Sequence, residues 1–483
     1  MTKILVLNPP NISSQNVVRD GIYGCWCKGK RIGGAQTPPY PLLEIATVLK
    51  QLPVPVEVID APAEGISIAG LKKIIIQHQI VIILTSVMTF SEDVQALKEL
   101  KEANKDLKSI VCGSLPTFMP EFCLKNEAVD IIVLREPEFI IRDLVVAMSK
   151  GENWQALKGI GYCKNTGLCV NDYYPLIKDL DELPFVDWSL LSKKARYFNP
   201  LIKRHPYVTD LTTRGCPEKC TFCMAPGFYG NKVRARSAEN VIAGFREHVQ
   251  KGIKEVYLRD EMFTTFKARN KEIYERLIKE NIDLTWLCSS RVDSLDRETM
   301  RLMKKSGCHT IKFGVESGVQ QLLDNVKKRI SIKQTEDAFR WAREAGLNTH
   351  AHVMLGLPGE TKETIKETLR FIKRIRPTTA TFGIVTPYPG TALFEQVARS
   401  YPEIKEGFSL DLKTLHTSSF FTHTFCDLTS EELAYYEKKV HRDFYLRPSY
   451  IYSRLTRIKS LKELIGAFKA GTKVIDFSIR GDE

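Results

Sequence analysis

The sequence predicts an α/β protein made of two consecutive strand-and-helix alternations and a small helical segment. The chain has 483 residues, more than a single hydrophobic core usually serves, so two or three domains are expected. Short β-branched runs alternate with helical patterns across residues 1–150 and again across residues 205–400. Composition is that of a folded chain, with 43% hydrophobic and 26% charged residues, which excludes collagen-like, mucin-like and largely disordered classes.

In the first unit the expected strands are Ile4 to Leu7, Val54 to Ile59, Ile80 to Leu84, Leu107 to Cys112 and Asp130 to Leu134. Between them Pro41 to Lys50, Ile66 to Gln77, Glu92 to Asn104 and Glu138 to Met148 suit amphipathic helices. Such a unit implies a mostly parallel, doubly wound sheet that binds ligands beyond the carboxyl ends of its strands. Met1 to Leu7 reads as a buried strand and not a leader, because Asn8-Pro9-Pro10 ends the apolar run and no small-residue cleavage site follows.

Residues 151–204, interrupted by Pro175, Pro184 and Pro200, read as a linker that wraps one domain onto the next. From residue 205 to 400 the strands are Val208 to Thr212, Glu255 to Leu258, Leu284 to Ser289, Thr310 to Val315, Thr349 to Leu355 and Thr379 to Val385. The helices between them are Ala238 to Lys251, Asn270 to Lys279, Asp296 to Lys305, Lys333 to Ala345 and Lys362 to Lys373. Six such units make a partial barrel with chemistry at the strands' carboxyl ends. Residues 401–483 form a helical cap, with Glu431 to Tyr445 and the basic Ile458 to Ala470 as its helices; it either closes the barrel mouth or touches a membrane surface.

A formal net charge of +13 suits nucleic acid, anionic lipid or a phosphorylated substrate. The excess is spread along the chain, and pairs such as Lys327-Lys328 and Lys438-Lys439 read as solvated surface. No zinc-finger, RNP or helix-turn-helix spacing points to a specific nucleic-acid partner. No apolar stretch approaches the roughly 20 residues that span a bilayer, so a cytoplasmic protein is expected, with peripheral contact at the inner face of the membrane left open. Twelve cysteines in that setting are thiols or metal ligands.

The strongest local signal is Arg214-Gly215-Cys216-Pro217-Glu218-Lys219-Cys220-Thr221-Phe222-Cys223, directly after the first barrel strand. Soft thiolates favour zinc or iron–sulfur sites, and three of them leave one coordination position open. A zinc site completed by a distant residue, or three core cysteines, is the alternative. With Phe222 before the last cysteine, the segment resembles the CxxxCxxC motif of the radical S-adenosylmethionine (SAM) family. That resemblance implies a 4Fe-4S cluster on Cys216, Cys220 and Cys223, with SAM bound at the open iron as the source of a 5′-deoxyadenosyl radical.

Other segments fit the same family in order. Glu261, after the second barrel strand, is a candidate for the methionine end of SAM, with surface solvation or helix capping as alternatives. Glu316 and Ser317 in Phe313-Gly314-Val315-Glu316-Ser317-Gly318 resemble ribose contacts. Gly356 in Leu355-Gly356-Leu357-Pro358-Gly359-Glu360-Thr361 lies where the family approaches adenine, and Glu360 is expected to cap the following helix. Thr386-Pro387-Tyr388-Pro389-Gly390-Thr391 resembles the TPYPGT signature of the branch with an N-terminal cobalamin-type domain; Tyr388 either orients substrate or packs the rim.

The resemblance extends over residues 1–400, and Asn8-Pro9-Pro10, Thr37-Pro38-Pro39-Tyr40-Pro41 and Arg135-Glu136-Pro137-Glu138 resemble segments of class B cobalamin-binding radical enzymes. It implies a doubly wound cobalamin-binding domain at 1–150, a partial (βα)6 radical SAM barrel at 205–400 and a small helical domain after it. Thr85, Ser86, Gly113 and Ser114 at strand exits are the implied contacts to the corrin ring or its nucleotide tail. The chain lacks DxHxxG, so no lower axial histidine is implied, and it lacks GxGxxG after the first strand, which disfavours a dinucleotide domain; a domain with degraded ligand binding is the other alternative. Cys25 and Cys27, and Cys163 and Cys169, do not define a second cluster.

The implied activity is methyl transfer to an unactivated carbon of a small or lipid-like molecule. One SAM methylates cobalamin, another yields the radical, and a reducing protein such as flavodoxin or ferredoxin supplies electrons. Radical cyclisation, oxidation or carbon–carbon coupling without net methylation is the enzymatic alternative, and a noncatalytic iron–sulfur binding protein is the other.

Overall fold

The computed structural model describes residues 2–10, 35–164, 167–405, 425–456, 464–465, 468 and 471–476. Cys25, Cys27 and most of Ile458 to Ala470 lie outside the described residues.

The first sheet contains β1 (Ile4–Asn8), β2 (Val56–Asp60), β3 (Ile80–Thr85), β4 (Lys108–Gly113) and β5 (Ile131–Val133), all parallel in the spatial order β2-β1-β3-β4-β5. Its strands are largely apolar because helices cover both faces. Ile4, Val6, Ile80 and Ile82 pack under helices Tyr40–Leu49 and Pro137–Lys150, whereas Leu5, Leu7, Val81 and Ile83 pack under Ile68–Ile75 and Phe90–Ala103. The order reverses between β1 and β3, and a ligand crevice opens at the carboxyl ends of strands at such a switch point.

The expected linker contributes to this sheet. Strands β6 (Ile160–Lys164) and β7 (Gly167–Val170) add an antiparallel hairpin to β5. Their mixed, partly exposed pattern hides them from a search for apolar runs. The rest of the segment does wrap back: Tyr197 donates to Asp60 Oδ2 at 2.9 Å, and Asn8 donates to Asp60 Oδ1 at 2.7 Å.

The second unit opens with β8 (Tyr207–Asp210), followed by a two-stranded ribbon of β9 (Thr213–Arg214) and β10 (Arg234–Ala235). It continues through β11 (Glu255–Leu258), β12 (Thr285–Ser290), β13 (Cys308–Glu316), β14 (Asn348–Leu355) and β15 (Thr379–Ile384). The order β15-β14-β13-β12-β11-β8 is parallel throughout and leaves the barrel open between β15 and β8. Ser331 and Thr361 each start the next helix with a capping box. Outward-facing Ile311, Phe313, Val315, Ala351, Val353 and Phe382 form the core beneath the helices.

Helix Ser430–Tyr445 lies along the flank of this barrel and not across its mouth. Leu433, Val440 and Phe444 join the core, while the Tyr445 hydroxyl donates to Ala380 O and accepts from Ala380 N–H at 2.9 Å. The tyrosine thereby satisfies the free edge of β15, where another strand would otherwise pair. No described helix is long and apolar enough to cross a membrane.

Candidate active site at the facing strand ends

Buried Asp260, after β11, accepts from Thr212 N–H at 2.6 Å and from Thr213 N–H, which holds the exit of β8. Burial pushes its carboxyl up to about 6. At Gly215, φ is +93° and a Cβ would stand 2.2 Å from Lys232 O, so only glycine allows the ribbon to close here. Cys216 N–H then donates to Gly230 O at 3.1 Å, and Cys223 N–H to Cys220 O at 3.2 Å. Thr221 ties the loop to Val326 and Leu393 through backbone bonds of 3.0 Å each.

Cys216 is buried and Cys220 and Cys223 are partly buried, and all three are free thiols. Burial pushes Cys216 up to about 11, with the Glu261 charge adding to the effect. Burial also raises Cys220, against the opposing attraction of Lys328 and Arg291 for a thiolate. Among the described residues no three His, Cys, Asp or Glu side chains converge as a single ion requires. A four-iron cluster makes a different demand, because each thiolate binds its own iron and the sulfurs stand farther apart.

Lys328 is a correction to the sequence reading. It is buried, not solvated, and its Nζ reaches Glu316 Oε1 at 2.6 Å while lying 5.9 Å from the Phe222 ring. The register shift between Gly314 and Glu316, with φ +60° at Glu316, aims that carboxylate at the cysteine loop. Arg291, after β12, forks onto Asp293 at 2.9 and 2.8 Å and lies 3.7 Å from Glu218. No motif announced either cation beside the cysteines; their partners become visible only when the strand exits are brought together.

Ser317 is fully buried, with its Oγ 3.1 Å from Thr368 Oγ1, a contact that braces the helix carrying Thr368. Glu360 does not cap the helix that follows; Thr361 does. The Glu360 carboxylate instead accepts from Gly356 N–H and from Leu357 N–H at 3.2 Å, holding its own loop. Burial pushes Glu360 up to about 8, and its Oε1 is buried without a hydrogen bond.

Tyr388 packs against both the cysteine loop and the core shared with the first unit. Its carbonyl accepts from Thr391, which caps helix Ala392–Ser400. Phe118, beyond β4, completes this contact: a Cβ on Gly390 would meet its ring at 2.5 Å. Thr85 Oγ1 donates to Asp93 at 2.7 Å, Ser86 Oγ accepts from Met88 N–H at 3.3 Å, and a Cβ on Gly113 would fall 2.3 Å from Thr85 O. These three residues therefore shape the strand exits from within, and Ser114 is buried beside them.

The units also share charge. Fully buried Arg214 meets Glu44 at 2.7 Å, Glu138 at 2.8 Å and Glu136 at 3.2 Å, and Arg234 meets Glu136 at 2.8 Å. Glu136 and Glu138 lie in the segment quoted for the family resemblance, but their partner next to Gly215 was not legible from that segment.

Residues 211–372 match the Radical SAM superfamily. An uncharacterized methyltransferase of Pyrococcus horikoshii is 31% identical over 430 residues, covering 87% of this chain and 90% of the relative. This chain belongs to the radical SAM superfamily. It accordingly uses a 4Fe-4S cluster and SAM. An anaerobic magnesium-protoporphyrin IX monomethyl ester cyclase of Rubrivivax gelatinosus is 30% identical over 63% of this chain and 55% of its own length. The radical SAM methyltransferase TsrM of Kitasatospora setae, solved with cobalamin and a 4Fe-4S cluster, shares the fold with a TM-score of 0.67 at 18% identity, over 82% of this chain and 76% of its own.

Proposed function

We propose that this radical SAM enzyme is a cobalamin-dependent methyltransferase acting on an unactivated carbon of a small-molecule or lipid-like substrate. The observation that carries the reading is the meeting of the two sheets' carboxyl ends, where Phe118 of the first unit packs with Cys223 and Tyr388 of the second. A methyl donor on one sheet and a radical source on the other are thereby brought to one mouth.

The residues fit both groups. Three free thiols on one loop suit a cluster bound by Cys216, Cys220 and Cys223, with Lys328 and Arg291 offsetting the negative charge of the thiolates. The order β2-β1-β3-β4-β5 supplies a switch point for cobalamin. Residues 1–170 contain one histidine, His78, and it bonds Ile74 O at 3.0 Å and Glu57 at 3.2 Å on the far side from the strand exits. Cobalamin would therefore be held without a histidine from residues 1–170. When bound, the cluster supplies the electron that cleaves SAM and cobalamin supplies the transferable methyl group.

The chain's own residues position and enclose. Glu360 fixes the Gly356 backbone where adenine would approach, Glu261 would hold the methionine end of SAM, and Tyr388 and Phe118 would keep water from the mouth. A flavodoxin- or ferredoxin-like protein delivers the electrons. The similarity to a cyclase keeps radical cyclisation as a second reading. With methyl-labelled SAM and reduced, cobalamin-loaded enzyme, labelled product should accumulate with both S-adenosylhomocysteine and 5′-deoxyadenosine. Substrate conversion with 5′-deoxyadenosine but neither label nor S-adenosylhomocysteine would select cyclisation.

A further inference from the structure

The inner wall of the barrel is polar and carries a cation, Lys312, with no ion pair among the described residues. Register places Lys312 beside His350 and His350 beside Thr379, then Gly314 beside His352 and His352 beside Thr381 in the next row. These side chains share the lumen face, because their neighbours Ile311, Phe313, Ala351, Val353, Ala380 and Phe382 are committed to the outer core. The Lys312 ammonium donates to the Tyr257 hydroxyl and lies 5.1 Å from the centre of that ring, but it forms no ion pair among the described residues.

The two imidazoles cannot serve as its counter-ions. Burial first, and then the Lys312 charge, lowers His350 to about 3 and His352 well below the ordinary histidine value, so both are neutral at physiological pH. Threonine hydroxyls meet His350 Nδ1 at 2.7 Å and His352 Nδ1 at 3.0 Å. The other nitrogen of His352 has no hydrogen-bond partner among the described residues. Just above, a Cβ on Gly383 would meet nothing within 4 Å, so the wall there borders open space.

The partly buried Lys312 ammonium meets only a hydroxyl and a ring, so a bound anion would supply the counter-charge it lacks among the described residues. We propose that Lys312, with Tyr257, His352 and Thr381, binds an oxyanion of the substrate, a carboxylate or a phosphoryl group, inside the barrel lumen. The proposal rests on the reading of the barrel mouth as the reaction site. Lys312 starts about 13 Å below Glu316 at about 3.3 Å per residue, so a substrate anchored by its anionic end directs its other end toward the cysteine loop.

The test is calorimetric titration of the full-length, anaerobically cluster-reconstituted protein with inorganic phosphate and, separately, with acetate. Wild type should bind at least one saturably, with a preference for phosphate indicating a phosphoryl substrate and for acetate a carboxylate. Lys312→Met should weaken binding about tenfold or more, and Lys312→Arg should retain it. Lys312→Gln, whose amide can still reach Tyr257, tests the charge if the Met variant fails to fold. Wild type binding neither probe, equal binding by the neutral variants, or displacement of the probe by SAM would overturn the proposal. SAM cleavage by the wild-type preparation reports separately on the radical SAM reading, since anion binding is measured without turnover.

Discussion

Arg214 Nη2 stands 2.7 Å from Glu44 Oε2 across the boundary between the two units, and both side chains are almost wholly shielded from water. The network of Arg214, Arg234, Glu44, Glu136 and Glu138 would carry one excess negative charge if every member were ionised. Burial pushes Glu44 up to about 8, whereas Arg214 and Arg234 draw Glu136 below its ordinary range despite burial. The upward shift of Glu44 favours its protonated form and so works against that excess charge.

Arg214 immediately precedes Gly215-Cys216, so this network holds the cysteine loop against the first unit. Arg214→Met should destabilise the protein by about 3–5 kcal/mol in urea unfolding, because it strands buried carboxylates. Iron retention after reconstitution should fall with it. Arg214→Met with unchanged stability and iron content would show that the network does not anchor the loop.

Glu360 gives a pH signature. Its carboxyl titrates at about 8 in the fold and near 4.5 when exposed, so between those values the folded state holds a proton that the unfolded state has lost. Its contribution is complete below pH ~4.5 and falls by up to about 1.4 kcal/mol per pH unit as pH rises toward 8. Glu360→Gln keeps an acceptor for Gly356 and Leu357 and cannot ionise. Urea unfolding from pH 5 to 8 should therefore show a shallower decline for Glu360→Gln than for wild type; parallel curves would contradict the shifted carboxyl.

The sequence made the strands of both sheets readable because each apolar run, buried by helices, alternates with an amphipathic helix, as in Ile80 to Leu84 and Glu92 to Asn104. The hairpin containing Cys163 and Cys169 escaped because its side chains are half solvated. At the site, local spacing picked out the cysteine loop, and the family resemblance read it as a cluster loop. Lys328 was not legible, since its burial depends on a bulge in β13 aiming Glu316 at it, and neither was the contact of Ser317 with Thr368, which is 51 residues away. Hydroxyls and charges reveal their orientation only through partners distant in sequence.

Lys328 and the three cysteines make a linked prediction. Lys328→Met should leave Glu316 buried without its cation and cost about 3–5 kcal/mol, which Lys328→Met with Glu316→Gln should partly recover. Loss of a positive charge near Cys220 should also make the cluster harder to reduce, seen as a more negative midpoint in anaerobic potentiometry. Replacing Cys216, Cys220 or Cys223 by Ala should instead abolish SAM cleavage. A cysteine variant with a normal cluster spectrum and normal cleavage would remove that residue from the ligand set.

The first unit should bind cobalamin with no protein histidine beneath cobalt. The switch point between β1 and β3 provides the crevice, yet His78 is engaged by Ile74 and Glu57 at the opposite ends of the strands. Asn8 and Tyr197 both donate to Asp60 at the β1 and β2 exits, and burial raises Asp60 to about 6, so the described rim offers oxygens and amides but no imidazole. Anaerobic electron paramagnetic resonance of the bound Co(II) form should show no histidine nitrogen coupling, and His78→Ala should take up cobalamin as wild type does. A clear histidine coupling would require a ligand from another part of the chain, and the absence of saturable uptake would remove cobalamin from the mechanism. In the second case SAM cleavage at the cysteine loop should persist, because the cluster loop, Lys328 and Glu360 all belong to the barrel.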